Sequence, residues 1–166
     1  MYAAHKGHAS VVEVLLGDER VDRNIVRMDG FTALMYAARN GHASIVEVLL
    51  RDERVDRNII DKEDGSTALM CAAENGHTSV VEVLLGDERV DRNIVSKEYG
   101  STALMHAASN GHASVVEMLL GDERVDRNIV DKEYGSTALM LAANTGHASV
   151  VEVLLGDERV DRNIVD

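Results

Sequence analysis

The sequence contains no proline and no tryptophan, and only 3% of its 166 residues are aromatic. Any hydrophobic core must therefore consist of Ala, Val, Leu, Ile and Met. The single cysteine, Cys71, cannot form an internal disulfide or a zinc cluster, and it suits a reducing compartment. No apolar run reaches the roughly 18 residues of a transmembrane helix, and no secretory signal is visible at the N-terminus. We expect a cytoplasmic protein that does not bind membranes.

Basic side chains are in the minority. The sequence contains 17 Lys and Arg residues and 29 Asp and Glu residues, which gives a formal net charge of −12. Protonation of all seven histidines would still leave the chain negative. Binding to nucleic acid or to an anionic membrane surface depends on clustered positive charge. The charge balance therefore excludes both classes of partner.

One segment is present five times. It reads Gly-His, a small residue and Ser, followed by an apolar stretch with one glutamate, and its copies are 34 or 35 residues apart. A second motif, Gly-x-Thr-Ala-Leu-Met, recurs in step with it. A fixed period of this length is typical of stacked repeats. The first motif starts at Gly7, Gly41, Gly76, Gly111 and Gly146, and the second at Gly30, Gly65, Gly100 and Gly135.

Each unit has the pattern of two helices. Thr67 is a suitable N-cap for a helix over residues 68–73, and Gly76 suits a left-handed stop after it. A second helix is predicted from Ser79, where Ser79 and Glu82 have the spacing of a capping box. The sequence therefore predicts an all-α solenoid of helix-turn-helix units.

These motifs, with the Val-Asp-x-Asn that closes each unit, resemble the ankyrin repeat along essentially the whole chain, in a Thr-Ala-Leu-Met variant similar to arrays of some unicellular eukaryotes. Relative to the family pattern, alanine replaces a proline and methionine (Met70 in the third unit) replaces a histidine that ties the loop to the helix. The resemblance implies one domain over 1–166 with about five repeats and extended loops, or fingers. The predicted repeats are 1–26 (N-terminally truncated), 27–60, 61–95, 96–130 and 131–166.

Residues that recur with the period belong to the scaffold rather than to a catalytic or metal site. This applies to five histidines, such as His77, for which the resemblance implies structural hydrogen bonds. It applies also to the motif Asp-Glu-Arg-Val-Asp-Arg-Asn, which lacks the ligand pattern of a calcium loop and is predicted to be a solvated, charge-balanced segment. Cys71 has unlike counterparts in the other repeats. We therefore predict no enzyme activity, no metal and no cofactor.

The differences between repeats carry the specific information. They concentrate before the loop glycine, on the first helix, and at the end of that helix, which correspond to the concave face that ankyrin proteins use to bind partners. The five aromatic residues all lie at non-framework positions, and tyrosine is favoured in binding surfaces. We define the candidate binding face as Phe31, Tyr36, Arg39, Asp64, Glu74, Tyr99, His106, Ser109, Tyr134 and Asn144.

The main hypothesis is a non-enzymatic scaffold that binds a protein partner through this face. Neither terminal repeat has a polar outer side, so end-to-end self-association is an alternative. A second alternative is a targeting segment of a larger protein such as a kinase. Charge is uneven: residues 27–60 contain five basic and five acidic side chains, whereas residues 61–95 contain three and eight. If charge orients a partner, the third repeat is the place to look.

Overall fold

A computed structural model describes residues 1–163 and shows ten helices and no strand within them. The last three residues of the predicted fifth repeat, 164–166, lie outside the described residues. The helices are α1 (Tyr2–His5), α2 (Ala9–Leu16), α3 (Ala33–Arg39), α4 (Ala43–Arg51), α5 (Ala68–Glu74), α6 (Thr78–Gly86), α7 (Ala103–Ser109), α8 (Ala113–Gly121), α9 (Ala138–Asn144) and α10 (Ala148–Gly156).

The helices form two layers. The first helices of the units (α1, α3, α5, α7, α9) pack in sequence on one another, and the second helices (α2, α4, α6, α8, α10) do the same. Small side chains allow this close stacking, since Ala72, Ala73, Ala107 and Ala108 are completely buried. The prediction of an all-α ankyrin-like solenoid is confirmed.

Threonine caps the first helix of each unit from the second to the fifth (α3, α5, α7 and α9), as the sequence predicts. The Oγ1 atom of Thr102 accepts the amide N–H of Met105 at 3.3 Å, and the amide N–H of Thr102 donates to the sulfur of Met105 at 3.4 Å. The methionine that stands in place of the family's histidine thus completes a reciprocal cap, with sulfur as a weak acceptor. Thr32 and Thr137 form the same reciprocal cap, and the Oγ1 atom of Thr67 accepts the amide N–H of Met70.

The predicted capping box of the second helix is wrong. Helix α6 begins at Thr78, one residue earlier than predicted, and its N-cap is His77, whose side chain makes no capping bond among the described residues. Ser79 therefore lies inside the first turn and cannot act as the cap. The carbonyl of His77 instead accepts the amide N–H groups of Val80 and Val81, each at 3.0 Å.

Two glycines are required where neighbouring repeats approach each other. Gly76 has φ +69°, and a Cβ atom there would lie 2.7 Å from Nδ1 of His112 in the next repeat. Gly65, in the loop before α5, has φ +79°, and its Cβ would lie 2.7 Å from the amide nitrogen of Lys97. Both positions combine a left-handed backbone with a tight contact to the following repeat, so any side chain would disturb the stacking.

Candidate protein-binding face

The helix-end residues of the candidate binding face have a fixed backbone. Nε2 of His112 donates to the carbonyl oxygen of Glu74 at 2.9 Å, which joins two successive repeats. Equivalent bonds run from His42 to His5, from His77 to Arg39 and from His147 to Ser109, at 3.0–3.2 Å. The side chains of Arg39 and Glu74 are exposed. The predicted structural role of the periodic histidines is confirmed at these four positions.

The loop tips are held in the same manner. The amide N–H of Lys97 donates to the carbonyl of Asp64 at 2.7 Å, and the amide of Lys132 donates to the carbonyl of Tyr99 at 2.8 Å. Meanwhile the side chains of Tyr99 and Tyr134 are 46% and 69% exposed. At Arg39, Glu74 and Tyr99, therefore, the carbonyl bonds to the next repeat while the side chain is exposed.

Two candidate residues fill the core instead. Phe31 and Tyr36 are buried, with ring centroids 5.2 Å apart. The hydroxyl of Tyr36 donates to Asp29 at 2.7 Å and accepts from Arg27 at 3.0 Å, and burial together with Asp29 raises the pKa of Tyr36. These contacts give both rings a packing role, so we leave them out of the surface offered to a partner.

Arg27 is a residue that the sequence reasoning missed. Its guanidinium carbon lies 5.2 Å from the ring centroid of Tyr2 and 5.6 Å from that of Tyr36, and the guanidinium of Arg39 lies 5.4 Å from the ring of Phe31. Such contacts are favourable cation–π interactions. The sequence does contain a signal for these contacts, because Tyr2, Arg27, Phe31, Tyr36 and Arg39 all lie at positions of the first two repeats that vary between repeats.

The middle of the face contains a histidine whose Nε2 atom is buried. His106 on α7 is half-buried, and its Nε2 atom has no hydrogen-bond partner among residues 1–163. Burial lowers the pKa of His106, against the opposing effect of the carboxylates of Glu74 and Asp64. Nearby on α5, burial raises the pKa of the Cys71 thiol to about 12. The thiol is therefore protonated and unsuited to act as a nucleophile.

The third loop is acidic. Asp61 is buried, accepts the amide N–H groups of Glu63 and Ser66 at 2.7 Å each, and has its pKa raised by burial and by the neighbouring Asp64. Asp61 is therefore part of the loop's framework. Asp64 is half-buried and Glu74 is exposed, and these two give the centre of the face its negative charge.

The Asp-Glu-Arg-Val-Asp-Arg-Asn motif is only partly the solvated segment that we predicted, because Glu88, Arg89 and Asp91 are exposed but Arg92 is not. Arg92 is buried, and its Nε donates to Asp122 of the next repeat at 3.0 Å while its Nη2 donates to the carbonyl of Leu85 at 2.7 Å. Hydrogen bonds from Arg124 and Arg92 hold the pKa of the Asp122 carboxyl far below its ordinary range. The same arginine–aspartate pair joins Arg23 to Asp52, Arg57 to Asp87 and Arg127 to Asp157.

An asparagine completes each junction. Nδ2 of Asn93 donates to the carbonyl of Arg124 at 2.8 Å, and Oδ1 of Asn93 accepts the amide N–H of Asp126 at 2.8 Å. Asn24, Asn58 and Asn128 make the same pair of bonds. The motif thus joins neighbouring repeats through hydrogen bonds and ion pairs. It recurs with the period because each junction between repeats uses it.

Other kinds of site are not seen in the described part of the chain. Within residues 1–163 no group of three or more His, Cys, Asp or Glu side chains could hold a metal ion. None of the ten described helices has the length and apolar character needed to cross a bilayer. The second-helix side has open grooves, one of them lined by Leu50, Val83 and Gly86.

Comparison with known proteins assigns the family. The sequence model described as ankyrin repeats (3 copies) matches residues 1–96 and 88–166, so it covers the whole chain. The chain belongs to the ankyrin repeat family. Ankyrin repeats are generally protein–protein interaction modules and are typically non-enzymatic. A search of curated proteins finds no match.

Proposed function

We propose that this chain is a non-enzymatic scaffold that binds a protein partner through the exposed residues of the candidate binding face. The observation that carries the proposal is the arrangement at Glu74 and Tyr99: the backbone carbonyl is bonded to the next repeat, and the side chain is exposed. A surface whose backbone is already fixed loses little conformational entropy on binding. Variation at these positions therefore changes recognition without changing the fold.

The face has three zones of different chemistry. Arg39 supplies positive charge in the second repeat, Asp64 and Glu74 supply negative charge in the third, and Tyr99 and Tyr134 supply exposed aromatic surface in the fourth and fifth. The complementary partner carries a basic segment that faces the third repeat, next to an apolar segment that covers the tyrosines. Charge then sets orientation and association rate, while the tyrosines supply most of the affinity.

The test replaces both exposed tyrosines by aspartate. Aspartate already occupies the equivalent position in two repeats, at Asp29 and Asp64, so Tyr99→Asp with Tyr134→Asp is compatible with the loop. Partners captured by the wild-type chain are identified by mass spectrometry, purified and titrated against the double variant. We expect affinity to fall by at least tenfold while helix content is unchanged. Unchanged affinity would contradict the assignment of the face.

A matched control lies on the other layer. Glu82→Gln with Glu117→Gln changes two exposed positions on α6 and α8 and leaves the candidate binding face intact. We expect this variant to bind the purified partner as the wild type does. A loss of affinity confined to the control would place the partner on the second helices instead.

Two further elements of the proposal rest on the sequence. The location we propose is the cytoplasm, because one cysteine in 166 residues suits a reducing compartment. The same face would also serve as the targeting segment of a larger protein such as a kinase, in which case it would bring a separate catalytic domain to the partner. The complete reading frame around this chain distinguishes that alternative.

A further inference from the structure

A groove with an apolar floor lies on the second-helix side of the stack, between α6 and α8. Leu85 of the third repeat and Met118 and Gly121 of the fourth repeat form its floor. Leu85 is buried, Met118 is half-buried and Gly121 is exposed. The groove lies at an internal junction, with a further repeat on each side of it, so its exposure is a property of the stack itself.

Gly121 keeps the floor of the groove open, although the fold does not require a glycine there. It is the last residue of α8, its φ angle is not in the left-handed region, and a Cβ atom would meet no described heavy atom within 4 Å. The second repeat has Arg51 at this position, so the backbone accepts a long side chain. Glycine is also a poor helix former. The space above Gly121 is therefore available to another molecule.

Met118 distinguishes this groove from the equivalent grooves. The other repeats have valine at the same position, at Val48, Val83 and Val153. Methionine is flexible and polarizable, and it adapts its shape to apolar side chains at binding surfaces. The floor between Leu85 and Met118 can therefore repack around an apolar side chain of a partner.

Three glutamates surround the floor. Glu82, Glu88 and Glu123 line the groove and are exposed, and within residues 1–163 none of them forms an ion pair. Arg124 is the single cation among the described lining residues, and it donates to the carboxylate of Asp122 at 2.8 and 2.9 Å. Asp122 raises the pKa of Arg124, and the charge of Glu88 adds to the effect. Arg124 is thus already paired, and the rim of the groove is complementary to lysine or arginine.

We propose that this groove binds an amphipathic helix of a partner protein, with apolar side chains on the Leu85–Met118 floor and basic side chains opposite the three glutamates. The described walls are helices, which offer no strand edge to an extended peptide, whereas a helix satisfies its own backbone groups and presents apolar residues at i, i+3, i+4 and i+7. The groove lies on the opposite layer from the candidate binding face. It is a second site that does not depend on that face.

Two synthetic peptides test the proposal on the full chain. Each is a fluorescently labelled peptide of about 18 residues, long enough to form a helix. The amphipathic peptide has leucine on one helical face and lysine and alanine elsewhere, and the scattered peptide has the same composition with its leucines distributed around the helix. Fluorescence anisotropy measures both affinities. We expect the amphipathic peptide to bind about tenfold more tightly, because burial of one leucine is worth at least that factor.

Two variants locate the bound peptide. Gly121→Arg fills the floor with the side chain that the second repeat already has at Arg51, and we expect the affinity for the amphipathic peptide to fall about tenfold. Asn110→Lys is the matched control, because it adds the same charge at an exposed position after α7, where the first repeat has Lys6. It should bind the peptide as the wild type does. Circular dichroism checks that helix content is unchanged in both.

Met118→Ser provides an independent test without a change of charge. It removes apolar surface from the floor, so it should also weaken binding of the amphipathic peptide. Equal binding of the two peptides would overturn the proposal, and so would equal losses in Gly121→Arg and Asn110→Lys, since either result means that net charge alone attracts the peptide. A wild-type chain that binds neither peptide, or full affinity in Gly121→Arg or Met118→Ser, would overturn it as well.

Discussion

Nε2 of His112 lies 2.9 Å from the carbonyl oxygen of Glu74 in the preceding repeat. This bond fixes the end of α5 without using the Glu74 side chain, which is exposed. The same relation recurs at other junctions: a periodic histidine holds the backbone, while the exposed variable residues, such as Arg39 and Glu74, present their side chains to solvent. This division of roles explains why the repeats differ so little outside the candidate binding face.

Replacing one periodic histidine tests this relation. His112→Ala removes the inter-repeat bond and leaves the Glu74 carbonyl with water as its alternative partner, so we expect a loss of about 1 kcal/mol in the free energy of unfolding. Urea denaturation measures it. His8→Ala is the control, because within residues 1–163 its ring has no carbonyl acceptor, and it should change stability by less than half as much. Equal losses for the two variants would refute the structural role.

The buried arginine should matter more than the histidine. Arg92→Ala leaves the Asp122 carboxylate without its inter-repeat partner and removes a buried guanidinium with its hydrogen bonds. We expect the free energy of unfolding to fall by about 3 kcal/mol. Arg162→Ala is the matched change at an exposed arginine that, in the described structure, has no ion-pair partner. This variant should lower the free energy of unfolding by less than about 1 kcal/mol. A similar cost for both would show that Arg92 is not a junction residue.

The helix caps provide a paired comparison. Thr67→Ala removes the hydroxyl that accepts the amide N–H of Met70, and we expect a cost of about 1 kcal/mol in thermal or urea unfolding. Ser79→Ala changes a serine that does not cap α6, so its effect should lie within about 0.5 kcal/mol of zero. A larger cost at Ser79 than at Thr67 would restore the capping box that the structure contradicts.

The half-buried imidazole of His106 predicts a pH dependence of stability. Burial lowers the pKa of His106 in the folded chain, so the unfolded chain binds a proton at this residue more readily. The free energy of unfolding of the wild type therefore decreases as pH falls below about 6.5, the ordinary pKa of histidine. His106→Leu, the residue type found at the equivalent Leu141, removes the unpartnered Nε2 and should raise stability by about 1 kcal/mol at pH 7. The gain should increase towards pH 5, measured by urea unfolding at each pH. A gain that shrinks as pH falls would mean that Glu74 and Asp64 outweigh burial.

The sequence predicts the architecture well because the period and the Thr-Ala-Leu-Met motif are local signals. The sequence predicts that the repeats have the same structure, but it does not show which side chains form hydrogen bonds to a neighbouring repeat. Arg92 looks like a solvated charge in sequence, and only the stacking places Asp122 beside it. Phe31 and Tyr36 illustrate the same limit, since a variable aromatic residue can fill a space that other repeats fill differently.

The central claim is that a partner contacts the first-helix and loop side of the stack, and site-specific photocrosslinking tests it most directly. A benzophenone amino acid is placed at Tyr99 or Tyr134 on the candidate binding face, and at Glu82 or Glu117 on the second helices, all at exposed positions. With the purified partner, crosslinks are predicted from the two tyrosine positions and not from the two glutamate positions. Crosslinks from Glu82 and Glu117 alone would contradict the account.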